Sequence, residues 1–218
     1  MTATLVQSPD RSPERLVLSG VSWPNYQSLV HDLEHQPSLR LTYDCGQLEI
    51  RRYSDPHESY KKLLGRLVEA LTEELDLEIR SLGSRTCDRK DLRRGLEPDQ
   101  CYYIKNESAV WNKEQIDLQQ DPPPDLAIEV DITSSSLDRL AIYADLGVPE
   151  VWRYDGLSLI IYDLQNQQYQ PCASSKTFMG LSPADVERFL AMKKTLKENA
   201  LIRQFRQWVR ENLTSTNC

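Results

Sequence analysis

The chain has 218 residues, 39% hydrophobic and 27% charged, an ordinary balance for a folded globular protein. A net charge of −7 excludes a broadly basic nucleic-acid coat, and no apolar run approaches the roughly 20 residues of a membrane span. The N-terminus lacks a secretory apolar core, so the expected compartment is the cytoplasm; Cys45, Cys87, Cys101, Cys172 and Cys218 show no zinc-like spacing and are expected as free or buried thiols.

Residues 1–14 are polar with two prolines and are expected to be disordered. Residues 21–36 predict a helix, with Ser22 able to cap it and Trp23, Tyr26, Leu29, Val30 and Leu33 on one stripe. Residues 39–52 predict a hairpin around Asp44-Cys45-Gly46. Residues 57–75 give the clearest helix, because Tyr60, Leu63, Leu64, Leu67, Val68, Leu71 and Leu75 recur at three- and four-residue steps. A strand and a basic loop follow over 77–90, then a tyrosine-rich strand over 96–106 and a polar, proline-bearing connection.

Residues 122–133 read PPPDLAIEVDIT. As a strand, Leu126, Ile128, Val130 and Ile132 share one face, and Asp125, Ala127, Glu129 and Asp131 the other. Neighbouring carboxylates would then stand about 6.6 Å apart, two strand steps. Beyond it, residues 137–148 predict a helix stopped at Gly147, and Asp155-Gly156 marks another hairpin. Helices are expected over 183–192 and 196–213. This order predicts one mixed α/β domain over 15–180, with 181–218 as a helical extension packed on the domain or on a partner subunit.

Three acids on one strand face either lie in water or repel one another. A second acid follows a proline at a strand start in Glu97-Pro98-Asp99, as Asp125 follows Pro124. Acids gathered from neighbouring strands suit a hard cation such as magnesium or manganese, which takes few protein carboxylates. Such an ion can activate water against a phosphodiester, and a nearby cation would steady the developing charge.

Residues 125–130 with the preceding proline (PDLAIEV), the run ITSSSLDRLAIYADLGVPEVWRYDG, the segment GLEPDQCYYI and the helix beginning HESYKKLLGRL together resemble the bacterial Uma-two endonuclease family. That family belongs to the PD-(D/E)xK, restriction-endonuclease-like superfamily. The resemblance covers residues 20–170 and implies a restriction-endonuclease-like mixed β-sheet core flanked by helices. It also implies a magnesium-dependent cut in DNA, or in RNA. Asp99 matches the first metal-binding acid, Glu129 the second, and Glu58 the acid that many members carry on the first core helix. Asp131 stands where the superfamily keeps a lysine, two residues after Glu129. The family's basic residue on the following helix corresponds to Arg139, four before Tyr143. Arginine stays protonated and cannot be a general base, but it can pair with phosphate. The implied catalytic set is Glu58, Asp99, Glu129 and Arg139; the implied metal set is Asp99, Glu129, Glu58 and Asp131. Many enzymes of this fold cut as dimers, so a homodimer is expected by analogy.

Alternatives remain for individual residues. Asp131 either binds metal or pairs with Arg139, and Asp125 either supports the metal or simply starts its strand. His57, an exposed residue at a polar helix start, is read as structural, with phosphate or metal contact as the other role. Residues 80–95 hold six Arg or Lys against two Asp, a solvated loop or a phosphate-contacting strip. Tyr102 and Tyr103 either pack or stack on bases. Trp152 and Tyr154 are expected in the core, and Phe205, Trp208 and Val209 in a packing stripe. Two rival functions remain: a binding module of the same fold without the chemistry, and a glycosidase. The latter is disfavoured by only 8% aromatic residues.

Overall fold

The structure, a computed structural model, describes residues 15–36, 38–52, 55–132 and 137–213. The expected disorder of residues 1–14 and the thiol of Cys218 lie outside the described residues. The chain runs β1 (Arg15–Leu18), α1 (Trp23–Asp32), β2 (Leu39–Asp44), β3 (Gln47–Arg52), α2 (Asp55–Glu74), β4 (Arg80–Ser81), β5 (Cys87–Arg89), β6 (Arg94–Leu96) and β7 (Gln100–Tyr103). It continues through α3 (Glu107–Val110), β8 (Leu126–Val130), α4 (Arg139–Leu146), β9 (Glu150–Tyr154), β10 (Leu159–Gln165), β11 (Gln168–Pro171), α5 (Pro183–Met192) and α6 (Glu198–Asn212).

These strands form two sheets. The first is antiparallel with order β1-β3-β2-β6-β5; the second has order β11-β10-β9-β8-β7-β4 and is mixed, because β8 and β9 run parallel. The parallel step needs a crossover, which α4 supplies. Asp138 caps that helix by accepting from Ala141 N at 3.1 Å, and Gly147 ends it at φ 78°, a left-handed position that a side chain would strain.

The second sheet is buried on both faces. On one, Leu63, Leu64, Leu67 and Leu71 of α2 join Ile128, Val130, Trp152 and Ile161 with Phe189 of α5 and Phe205 and Val209 of α6. On the other, Ile142, Tyr143 and Leu146 of α4 meet Ala127, Val151, Cys87 and Leu96. Each fully buried leucine contributes about 1.5–3 kcal/mol by leaving water. The extension predicted for the C-terminus thus packs against α2 within the same apolar cluster.

The first sheet uses its faces differently. Trp23 and Tyr26 of α1 pack on Leu41, Tyr43 and Leu48. The opposite face of β2 and β3 carries Arg40, Thr42, Glu49 and Arg51, all buried and all polar. A buried polar face needs polar partners, and it finds them in Asp131, just past β8, and in Arg139 of α4.

Two local readings are corrected. The basic stretch 80–95 is not a solvated loop throughout: it contains β5 and β6, a hairpin added to the first sheet. The polar connection before β8 includes the short helix α3.

Candidate active site

Asp125 and Glu129 are buried and the Asp131 side chain is only 9% exposed, so the wet reading of this acidic face is wrong. Each acid has a separate partner. Asp125 accepts from Ile104 N (2.7 Å), Asn106 N (2.9 Å) and Asn106 Nδ2 (2.7 Å), which makes it an anchor for the 104–106 turn. Asp131 accepts from Arg51 Nη2 at 3.2 Å on one oxygen and from Arg153 Nη2 at 2.7 Å on the other. Glu129 accepts on Oε1 from Arg139 Nη2 at 2.6 Å and from the Tyr143 hydroxyl. Separate counter-groups explain how three carboxylates stand on one buried face without sharing an ion.

Asp99 joins Glu129 from the neighbouring strand. The antiparallel ladder ends with Gln100 opposite Ile128; just before it Asp99 N donates to the Ile128 carbonyl at 3.2 Å, which leaves Asp99 beside the Glu129–Val130 end of β8. Asp99 is fully buried. Its Oδ2 accepts from Val130 N at 2.7 Å and lies 2.9 Å from His57 Nε2. Its Oδ1 is buried with no hydrogen-bond partner among the described residues.

The two acids titrate in opposite directions. Burial opposes the charge on Asp99, yet the His57 hydrogen bond and charge, the Val130 N–H and Arg139 together hold its carboxyl below the usual range. Burial pushes Glu129 up; the Asp99 charge adds to that, against the pull of Arg139 and Tyr143. An ionised Asp99 can only accept, so His57 presents Nε2–H to it.

Arg139 ties the layers together. From the first turn of α4 it donates to Glu129, to the Glu97 carbonyl at 2.8 Å and to Thr42 Oγ1 of the first sheet. Glu97 itself is pushed up by burial, although Leu41 N donates to its Oε2 at 2.9 Å. Glu58 does not reach Asp99 directly. Its Oε1 lies 3.5 Å from His57 Nδ1 and its Oε2 lies 3.5 Å from Lys61 Nζ, so the imidazole stands between the two acids. Burial pushes the Lys61 ammonium down, with Arg40 adding to the effect and Glu58 and Asp99 opposing it.

The structure therefore brings together Asp99, Glu129 and Arg139, keeps Glu58 one imidazole away, and commits Asp131 to two arginines. His57 is buried rather than exposed, a correction that makes it part of the site. Sequence reasoning also passed over Thr42, Lys61, Tyr143, Arg51 and Arg153. The alternation of Arg40 and Thr42 in β2, and of Glu49 and Arg51 in β3, was the available signal for a polar face. Tyr102 and Tyr103 are buried and cannot stack on bases, whereas Trp152 and Tyr154 lie in the core as expected. In the basic stretch, Arg89 pairs with Asp91 and Arg94 with Asp44 and Asp145, while Arg85 donates to the Ile116 carbonyl. Those guanidinium groups are held by the protein itself.

A cavity of about 210 Å³ opens beside the acids, lined in part by Glu129, Asp131, Arg139, Tyr143 and Arg153. Among the described residues, no group of three or more His, Cys, Asp or Glu side chains is arranged to hold a metal ion. A two-carboxylate site is a different case: beside Glu129, Asp99 offers a buried oxygen with no partner among the described residues. That donor set fits magnesium or manganese, which retain several waters.

Residues 23–191 match the Uma2 family, whose description reads "Putative restriction endonuclease". The crystal structure of a putative nuclease from Anabaena variabilis aligns with 85% of this chain and 99% of its own at 14% identity and a TM-score of 0.47. No curated protein matches the sequence.

Proposed function

Because this chain belongs to the Uma2 family of putative restriction endonucleases, we propose that it hydrolyses DNA phosphodiester bonds with a magnesium or manganese ion held by Asp99 and Glu129. The observation that carries this reading is the fully buried Asp99 carboxylate, one oxygen of which has no partner among the described residues, beside a second buried acid, Glu129, that is itself pushed up. Leaving a buried polar atom unsatisfied costs about 1–3 kcal/mol, more for a charge, and such an oxygen is suited to a ligand.

Asp99 and Glu129 would hold the ion, which would supply Lewis acidity toward water and phosphate. The chain's own groups supply the rest. His57 Nε2–H and the Val130 N–H fix Asp99 through Oδ2, which orients Oδ1. Tyr143 and Arg139 fix Glu129 through Oε1. Arg139 keeps a permanent positive charge at the acid pair, where charge builds on phosphate oxygens during transfer. The burial of both acids excludes water and strengthens each of these electrostatic contacts.

The test is plasmid nicking in magnesium or manganese by wild type and by an Asp99→Ala, Glu129→Ala double variant, with single-stranded DNA and RNA as further substrates. Cleavage lost in the variant, together with calorimetric manganese binding lost in parallel, supports the reading. Equal nicking by both proteins overturns it. A binding-only relative of the same fold is the second reading, favoured by the occupation of Glu129 Oε1 by both Arg139 and Tyr143. Nucleic-acid binding without manganese binding would select it.

A further inference from the structure

Asp131 sits just past the end of β8, its N–H donating to the Tyr154 carbonyl at 2.7 Å, so the parallel pairing with β9 continues through it. Two guanidinium groups reach its carboxylate from different directions. Arg51 comes from the first sheet and is buried, whereas Arg153, the register partner of Glu129 on β9, keeps 41% of its side chain exposed. Arg153 also lines the cavity that Glu129 and Arg139 share. It gives Asp131 a single Nη2 contact and bonds the Tyr162 side chain, which leaves part of its five-donor fork for a ligand.

A structural ion pair this exposed adds little to stability, because solvent screens it and side-chain ordering offsets the gain. Its placement is more informative. Asp131 holds a guanidinium at a cavity that Arg139 and Glu129 also line. Paired guanidinium groups about one cavity suit an oxyanion with several acceptor oxygens, as phosphate has.

We propose that Arg153 binds a phosphate of the nucleic-acid substrate beside the Glu129–Arg139 pair, and that Asp131 acts as the positioning residue that aims it. The inference rests on the nuclease reading for its substrate, but binding tests it apart from cleavage. On this account Asp131 gathers positive charge at the cavity instead of holding the metal.

The experiment uses full-length protein and a fluorescein-labelled duplex in EDTA, with anisotropy followed across a salt series. Arg153→Met is expected to weaken binding several-fold and to lower the slope of log K against log salt by about one, the signature of one lost phosphate contact. Arg153→Lys should restore the slope, and Asp131→Asn should weaken binding with the slope unchanged. A melting curve in phosphate-free buffer checks that each variant is folded. In parallel, inorganic phosphate should raise the melting temperature of wild type and not of Arg153→Met. Equal slopes and affinities for wild type and Arg153→Met, or equal phosphate shifts, overturn the proposal. A wild type that binds with these signatures but does not cut refutes the nuclease reading alone, and one that cuts with Arg153→Met binding unchanged refutes this inference alone.

Discussion

Replacing Arg139 with Met tests the electrostatic account of the site. The substitution keeps an apolar stem of similar reach and removes the guanidinium from acceptors that include Glu129 Oε1, the Glu97 carbonyl and Thr42 Oγ1. Removing one partner of a buried ion pair costs about 3–5 kcal/mol, because the other charge stays buried and uncompensated. At about 2–4 °C per kcal/mol for a chain of this size, the melting temperature should fall by roughly 6–20 °C. The pH dependence is the sharper signature. Burial and Asp99 already push Glu129 up, and loss of Arg139 takes away the largest opposing charge. A carboxyl with a raised folded pKa contributes stability below its unfolded value of about 4.3, and loses it as pH rises through the folded value. The gap between variant and wild type should therefore be widest at neutral pH and narrow on acidification. Urea unfolding in EDTA at pH 7.5 and pH 5 measures it, and adding Glu129→Gln to the variant should recover part of the loss at pH 7.5. A loss below about 1 kcal/mol at pH 7.5, the value of an ordinary exposed pair, or one that grows on acidification, would refute the reasoning.

Asp99 carries the opposite sign. Its depressed pKa means that it stabilises the fold above its unfolded value of about 3.9 and that this is lost as pH falls through the folded value, so Asp99→Asn should flatten the acid limb of a circular-dichroism pH titration. Asp125→Ala removes the acceptor of three hydrogen bonds and should cost roughly 2–4 kcal/mol in chemical denaturation, while nicking per folded molecule stays near wild type. Gly95→Ala puts a methyl 2.5 Å from Tyr26 Oη and 2.7 Å from Asp88 Cβ, and the overpacking should destabilise by about 1–3 kcal/mol with an unchanged urea m-value.

Local periodicity carried much of the fold. The stripe from Leu63 to Leu71 named α2 and its buried face, and Gly147 marked the end of α4. The β5–β6 hairpin escaped because three-residue strands carry no measurable alternation and half of their residues are charged. The turn into β11 escaped because Asn166 and Gln167 both take left-handed φ values, 48° and 64°, without the glycine that usually announces such a turn. In the site, alternation and the proline–acid strand starts singled out Asp99 and Glu129 as candidates, and the family resemblance implied that they act together. His57 was not legible: whether its imidazole is buried depends on a wall built by residues far along the chain. Nor was the tie between Asp131 and Arg51, 80 positions apart and on different sheets. Such pairing is written in three dimensions only.

The last helix, α6, begins after the family-matched segment has ended at residue 191, yet it is bolted to α2. Arg206 and Arg210 grip Glu74, Arg206 also holds Glu73, and Arg66 reaches back to Glu198 and Asn199. The N-terminal end of that same α2 delivers His57 to Asp99. The tail thus serves as a buttress for the rod that sets the imidazole's aim. Exchanging tails between relatives would detune the acid pair from behind without altering a single side chain that faces it.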